Sequence, residues 1–386
     1  MIDPPTQQST ATRPPVRVLH LRDSPWVDGP GRTILETASR IDPQRVDYHI
    51  GAFVAEPGAA HPLVDAARSR GLNVHPIPDC GGLRGGLVDA VVKLLDRLRI
   101  DVLHTSEFRS NVLGLLCRCQ RAIGLVSTVH GWIANDLRGK VYTLADRVLL
   151  RRFDRVMLVS HALRRRLPKW WVPDRRVRVL HNALMVESYG QEVLSAARRA
   201  PDPQTDVRLL NVGRLSPEKG QDLLLKTVAR LSREYPGLNL AFAGVGPLEH
   251  ELRDLAERLA ITDRVTFLGY VPDMPALYAK TDLVVQSSFT EGLPNVMLEA
   301  AYLGVPVVAT AVGGTAEVIE HGILGWLVKP RSVTAMEDGI RRFLEQPGEF
   351  IGMARAGRDR IETRFSFEAR TEAQMKLYEE FTEGFY

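Results

Sequence analysis

The chain has 386 residues, more than one ordinary domain holds and enough for two α/β domains. Hydrophobic residues at 45% and charged residues at 25% are typical of a globular protein. No apolar run approaches 18 residues, which excludes a transmembrane helix. The net charge of +4 is uneven: residues 1–200 hold 30 Lys and Arg against 19 Asp and Glu, while residues 201–386 hold 20 against 27.

Residues 1–15 are polar and proline-rich and lack the apolar stretch of a signal peptide. They read as a disordered tail on a cytoplasmic protein. Apolar runs then predict strands at 16–21, 48–54, 74–77, 102–105, 125–129, 155–159 and 177–180. Helical runs fill the gaps, among them 33–40, 62–70, 87–98 and 142–152. Residues 185–206 are largely polar with Pro201 and Pro203, a hinge signal whose centre is a 191–206 linker. Strands follow at 207–212, 239–243, 265–268, 282–286, 305–309 and 325–328, and the chain closes on an amphipathic helix at 365–381. Strand–helix alternation is the signature of parallel sheets, so the pattern gives an α/β protein of two Rossmann-like domains facing a cleft, at 16–190 and 207–369.

Three cysteines, Cys80, Cys117 and Cys119, make an odd count with no disulfide framework. Cys117 and Cys119 fall on different faces of a helical run, without the partners a metal site needs. Between Arg147 and Arg178 stand 11 basic residues with only Asp154 and Asp174 against them. This stretch includes Arg164, Arg165, Arg166 and Lys169, followed by Trp170 and Trp171. It suits an anionic membrane surface with tryptophan at the headgroup level, or an ordinary basic surface with two half-buried tryptophans. No nucleic-acid motif accompanies the charge, and no nucleic-acid partner is expected.

The segment from Glu291 to Glu299 carries the most chemistry. Pro294 suits the first turn of a helix that Gly304 would stop, which leaves the N–H groups of Gly292 and Leu293 at a positive helix end. Two glutamates eight positions apart are roughly 10 Å or more apart along a helix, too offset to flank one glycosidic bond. They can grip the two ends of a long ligand, each accepting from vicinal hydroxyls, or simply be two solvated charges on an amphipathic helix. Upstream, Arg214 and Lys219 flank a strand-to-helix turn, where parallel sheets bind ligands. They are phosphate-binding cations or solvated surface charges.

Taken together, 211–220, 291–299, 301–310, 312–319 and 322–328 resemble the family-4 retaining glycosyltransferases (glycosyl transferases group 1), closely over 207–330 and loosely over the first half. The resemblance implies the GT-B fold, with 370–386 packing back on the first domain. It implies a nucleotide-sugar donor, UDP- or GDP-linked, and a glycan or lipid-linked acceptor of polysaccharide or glycolipid biosynthesis. No cofactor and no metal are implied. Glu299 would hold the ribose. Arg214 and Lys219, with Gly292, Leu293 and Gly31 of a glycine loop, would hold the diphosphate. His130 at a strand end and Glu291 would orient the sugar, and Tyr270 and Val271 would meet the base. Gly244 and Gly246 resemble the second nucleotide loop. Asn182 matches a family Asn-Gly pair but lacks the glycine and is not assigned to the site. The implied chemistry is front-face attack, with the leaving phosphate taking the acceptor's proton and closure at 185–206 excluding water. Two other readings on this fold are a nucleotide-sugar epimerase and a non-catalytic sugar- or membrane-binding module. The basic stretch would place the enzyme on the inner face of the cell membrane.

Overall fold

The computed structural model describes residues 14–24, 26–55, 60–79, 85–132, 137–186, 189 and 200–382. The expected tail lies outside these residues except for Pro14 and Pro15, as do Cys80 and residues 191–199 of the expected linker. The first-half strands are β1 (Val16–Arg22), β2 (Val46–Val54), β3 (Val74–Pro78), β4 (Val102–Thr105), β5 (Gly124–Val129), β6 (Arg155–Leu158) and β7 (Val177–Val179). The second-half strands are β8 (Val207–Val212), β9 (Leu238–Ala243), β10 (Val265–Gly269), β11 (Leu283–Gln286), β12 (Val307–Thr310) and β13 (Trp326–Val328). They form a seven-stranded sheet of order β3-β2-β1-β4-β5-β6-β7 and a six-stranded sheet of order β10-β9-β8-β11-β12-β13. Every ladder of the second sheet is parallel, as are β1–β2, β1–β4, β2–β3, β4–β5 and β6–β7 of the first. These are the two Rossmann-like sheets that the strand–helix alternation predicts.

The reason lies in burial on both faces. All four residues of β11 and of β12 are buried, as helix-covered parallel strands require. Leu209, Phe242, Val285 and Val308 of the second sheet pack with Leu224, Val228, Ile340 and Phe343 of its helices. Each such side chain, fully buried, contributes about 1.5–3 kcal/mol.

Helix starts depart from expectation where a cap decides them. The helix Gly29–Arg40 begins four residues before the predicted 33, because the Asp28 carboxylate accepts the Gly31 N–H and Pro30 sits in the first turn. The helix Asn295–Tyr302 begins one residue after Pro294, which is its N-cap rather than a first-turn residue. Gly304 does end that helix, in the left-handed conformation at φ 63°. Cys117 is buried, which pushes its thiol up to about 12, and Cys119 is exposed.

By packing, the chain divides into two compact units, Met1–Ser127 with Thr371–Tyr386, and Thr128–Arg370. The boundary between these units falls inside β5. Its cause is visible within the second unit. Asn182 Nδ2 donates to the Leu293 carbonyl at 2.9 Å, His181 Nε2 meets Glu317 Oε2 at 2.9 Å, and the Leu184 N–H donates to the Phe365 carbonyl at 2.9 Å. These bonds tie the end of the first sheet's chain to loops of the second.

Candidate active site

In the second sheet β8 lies beside β11, while the chain goes from β8 to β9 on one side and from β11 to β12 on the other. Loops leaving the carboxyl ends of two such strands diverge and open a crevice, where open α/β sheets bind ligands. Arg214 and Lys219 are on the loop after β8; Glu291, Gly292 and Leu293 are on the loop after β11.

The structure brings Lys219 and Glu291 together, with Nζ 2.7 Å from Oε1. The same carboxylate oxygen accepts from Ser288 Oγ at 2.6 Å and Gln286 Nε2 at 3.1 Å. Thr315 Oγ1 donates to the Gln286 amide oxygen at 3.2 Å and fixes which way that amide points. The two loops are laced to each other: Ser287 Oγ donates to the Lys219 carbonyl at 2.9 Å, and the Phe289 N–H donates to the Glu218 carbonyl at 2.7 Å. Gly220, at φ 63°, makes this possible, because a Cβ there would overlap the Ser287 carbonyl. The Arg214 side chain is exposed, with no hydrogen bond or ion pair among the described residues, while its carbonyl accepts from Gln221 Nε2 at 3.0 Å.

Gly292 is the second close approach. A Cβ there would overlap the His130 carbonyl, so only glycine lets these two backbones meet. His130 is thereby brought beside Gly292 by its main chain, and its side chain is half-buried. The Gly292 carbonyl accepts the Gly314 N–H at 2.8 Å, and Asn182 holds the Leu293 carbonyl. The N–H groups of Gly292 and Leu293 donate to nothing among the described residues, which leaves two donors beside Glu291.

Glu299 is held separately. Tyr278 donates its hydroxyl to Glu299 Oε2 at 2.7 Å. Tyr278 is fully buried, and burial first, then the Glu299 charge, holds its pKa well above the usual value, so it stays a donor. Tyr270 follows β10 and is 73% exposed, next to half-buried Val271. The neighbouring loop is pinned by the Gly244 N–H donating to the Gly269 carbonyl at 2.7 Å, and a Cβ on Gly246 would overlap the Leu215 carbonyl.

Gly31 is in the other compact unit. Its N–H is 3.0 Å from Asp28 Oδ1, and Asp28 in turn pairs with buried Arg22. A Cβ on Gly31 would lie 2.8 Å from the Trp26 carbonyl, so packing favours glycine here. Sequence reasoning missed Tyr278, Gln286 and Ser288 and set Asn182 aside. The family Asn at 182 was a signal for the last of these; the other three sit in runs that read as ordinary core or loop.

Sequence models of two families match the chain, "Glycosyltransferase Family 4" over residues 27–187 and "Glycosyl transferases group 1" over residues 196–360. The chain belongs to the family-4 glycosyltransferases. A glycogen synthase of Mycobacterium tuberculosis is 29% identical to this glycosyltransferase over 292 residues, 72% of this chain and 69% of that protein. The GDP-mannose-dependent alpha-(1-6)-phosphatidylinositol monomannoside mannosyltransferase of the same organism is 35% identical over 136 residues, 33% of this chain and 35% of that protein. The Anabaena protein HepE, solved with UDP and glucose, has the same fold. Its TM-score is 0.80 at 22% identity, over 95% of this chain and 100% of that one. The sucrose-phosphate synthase of Thermosynechococcus elongatus has a TM-score of 0.77 at 19% identity, over 95% of this chain and 99% of that one. The two-sheet architecture of this glycosyltransferase is therefore the GT-B fold.

Proposed function

We propose that this glycosyltransferase moves a sugar, with retention of configuration, from a UDP- or GDP-sugar to a glycan or lipid-linked acceptor, in polysaccharide or glycolipid biosynthesis. The observation that carries the reading is the Lys219–Glu291 pair at the switch between β8 and β11, with two unused N–H groups beside it. UDP in the HepE complex and GDP-mannose in the name of the mannosyltransferase support a nucleotide-sugar donor.

As the glycosidic C–O bond breaks, negative charge grows on the leaving phosphate. Arg214, Lys219 and the N–H groups of Gly292 and Leu293 stabilise that charge, more in the transition state than in the ground state. Two side-chain cations there take the place of a divalent metal. Glu291, released in part from Lys219 by the incoming diphosphate, orients the sugar with His130 and faces its developing positive carbon. Glu299, held by Tyr278, accepts from the ribose hydroxyls, and Tyr270 stacks on the base. The acceptor hydroxyl attacks from the face the phosphate leaves, and its proton passes to that phosphate.

The acceptor side of the reading rests on a surface. The helix Leu137–Leu149 exposes Val141 (62%), Leu144 (54%) and Val148 (41%) on one face, and Trp170 is 75% exposed. Among the cations of 147–178, Arg151, Arg165 and Arg175 are exposed. An exposed apolar stripe and exposed cations in one stretch of chain, 137–178, fit the inner, anionic leaflet of the cell membrane, which would make the enzyme a peripheral, cytoplasmic one. Two expected contributors have other duties. Trp171 is half-buried, and Arg164 donates to Asp174 and to the carbonyls of Leu167 and Val172.

The deciding experiment incubates the enzyme with a panel of UDP- and GDP-sugars and candidate acceptors in the presence of chelator. Nucleotide release and the anomeric configuration of the product are followed by NMR. Retention with chelator present supports the reading. A sugar that stays on its nucleotide with changed configuration would replace it with an epimerase.

A further inference from the structure

Behind the loop that carries Gly292 and Leu293, three side chains converge to which the proposed transfer assigns no role. His161 opens the helix His161–Arg166, His181 follows β7, and Glu317 lies on the short helix Thr315–Val318. One nitrogen or carboxylate oxygen from each lies within 4.8 Å of the other two. His181 Nε2 is 2.9 Å from Glu317 Oε2, and the two imidazole rings are 5.6 Å apart at 65°. The carboxylate is aimed from behind, since Glu317 accepts the N–H of His161 at 2.9 Å and that of Ala162 at 2.8 Å.

We propose that His161, His181 and Glu317 bind a divalent transition-metal ion, with Zn2+ the best match. Two imidazoles and one carboxylate are a zinc donor set, and three protein ligands leave a fourth position for water. Imidazole nitrogen is a poor partner for Mg2+ or Ca2+, so this site is distinct in kind from a metal that would carry a diphosphate. Tetrahedral bonds of about 2.0–2.2 Å put ligand atoms roughly 3.3–3.6 Å apart. The His181–Glu317 pair must therefore open by a few tenths of an ångström, and His161, being exposed, must swing inward. The His181 ring proton moves to Nδ1 when Nε2 takes the metal. Glu317 Oε1 keeps its bond from Ala162 while Oε2 turns to the ion. Such outer bonds hold a ligating carboxylate in place.

The ion would act as a clamp. The Glu317 N–H donates to the Gly314 carbonyl at 3.0 Å, and the Gly314 N–H donates to the Gly292 carbonyl. Fixing Glu317 therefore fixes the turn on which Gly292 rests.

The test uses the full chain stripped with chelator and then titrated with Zn2+ by calorimetry and thermal denaturation. Co2+ serves as a visible-absorption probe of four-coordinate geometry. Wild-type protein should take up one Zn2+, melt a few degrees higher and give the intense Co2+ bands of a tetrahedral site. His161→Ala, exposed and so tolerated by the fold, and His181→Gln should each weaken Zn2+ by on the order of 10-fold or more and abolish the Co2+ bands. Absence of uptake by wild-type protein overturns the proposal. So does uptake by both variants with wild-type affinity, which would place the ion at other histidines such as His49 and His75.

Discussion

Lys219 Nζ lies 2.7 Å from Glu291 Oε1, so the cation assigned to the diphosphate and the carboxylate assigned to the sugar hold each other across 72 residues of chain. The pair is preorganised, and in the proposed reaction a donor enters it as a third party. In the proposed reaction the diphosphate competes for Lys219 while Ser288 and Gln286, which donate to Glu291, keep that carboxylate in place. Removing Lys219 should therefore act on the chemical step. Lys219→Ala is expected to cost about 2.7–4 kcal/mol of barrier, on the order of 100-fold or more in rate, with Arg214→Ala acting in the same direction. Neither residue lies in a strand, so both variants should fold. Lys219→Ala combined with Glu291→Gln should lose less than the sum of the two, because the residues are in contact. Steady-state nucleotide release checks this, and near wild-type rates in both single variants would remove these residues from the site.

The two glutamates should separate in a binding measurement. Glu299→Gln is expected to weaken the free nucleoside diphosphate, and Glu291→Gln to leave it unchanged while slowing transfer. Calorimetry with UDP and GDP on both variants is the check. Equal losses would show that the two carboxylates do not serve opposite ends of the donor.

Tyr278→Phe should follow Glu299 rather than Glu291. The hydroxyl is a buried donor to a carboxylate, a bond of about 1.5–3 kcal/mol. Its loss should lower stability by up to that amount and weaken nucleotide binding. Chemical denaturation and UDP or GDP titration together test it. A variant with unchanged nucleotide affinity would mean that Glu299 does not depend on Tyr278 for its position.

Acid stability has a local source at His75. Burial first, then the His49 and Arg97 charges, hold its pKa at about 4 against the ordinary 6.5, with Asp47 opposing. The folded protein thus binds this proton less readily than the unfolded chain. The stability involved is complete above about pH 6.5 and disappears as the pH falls towards 4. Melting temperatures across that window should decline less steeply for His75→Gln than for wild-type protein. Parallel curves would show that the decline comes from other groups.

Membrane binding should need both the apolar stripe and the exposed cations. Wild-type protein is expected to sediment with vesicles containing anionic lipid at low salt and to release as salt rises. Arg151→Glu, Arg165→Glu and Arg175→Glu together, or Val141→Ser with Leu144→Ser, should each reduce binding. If wild-type protein ignores such vesicles at low salt, the acceptor is a soluble glycan.

Strand positions were legible because these strands are apolar runs covered on both faces; β8 matches its run, 207–212, at both ends. The Glu291–Glu299 spacing pointed to a two-ended ligand because it sits in a single segment. What pairs with those glutamates was not legible. Lys219 and Tyr278 reach them across 72 and 21 residues, and no local pattern carries such a contact. The compact boundary was hidden for the same reason. Asn182 and His181 fasten their stretch of chain to Leu293 and Glu317, more than 100 residues on, and nothing local to 181–182 signals it.

The first compact unit is made of the beginning and the end of the chain, Met1–Ser127 and Thr371–Tyr386. His104 Nδ1 meets the Tyr378 hydroxyl at 2.7 Å, Arg45 binds Glu372 and Glu379, and Gly124 has no side chain because Phe381 fills that space. On the ribosome the first piece of this unit emerges well before the second. About 240 residues separate its two pieces, roughly 12–50 s of synthesis at ~5–20 residues per second. Throughout that interval His104 lacks its Tyr378 partner and Gly124 lacks the Phe381 ring, so this unit depends on a segment made much later to close it.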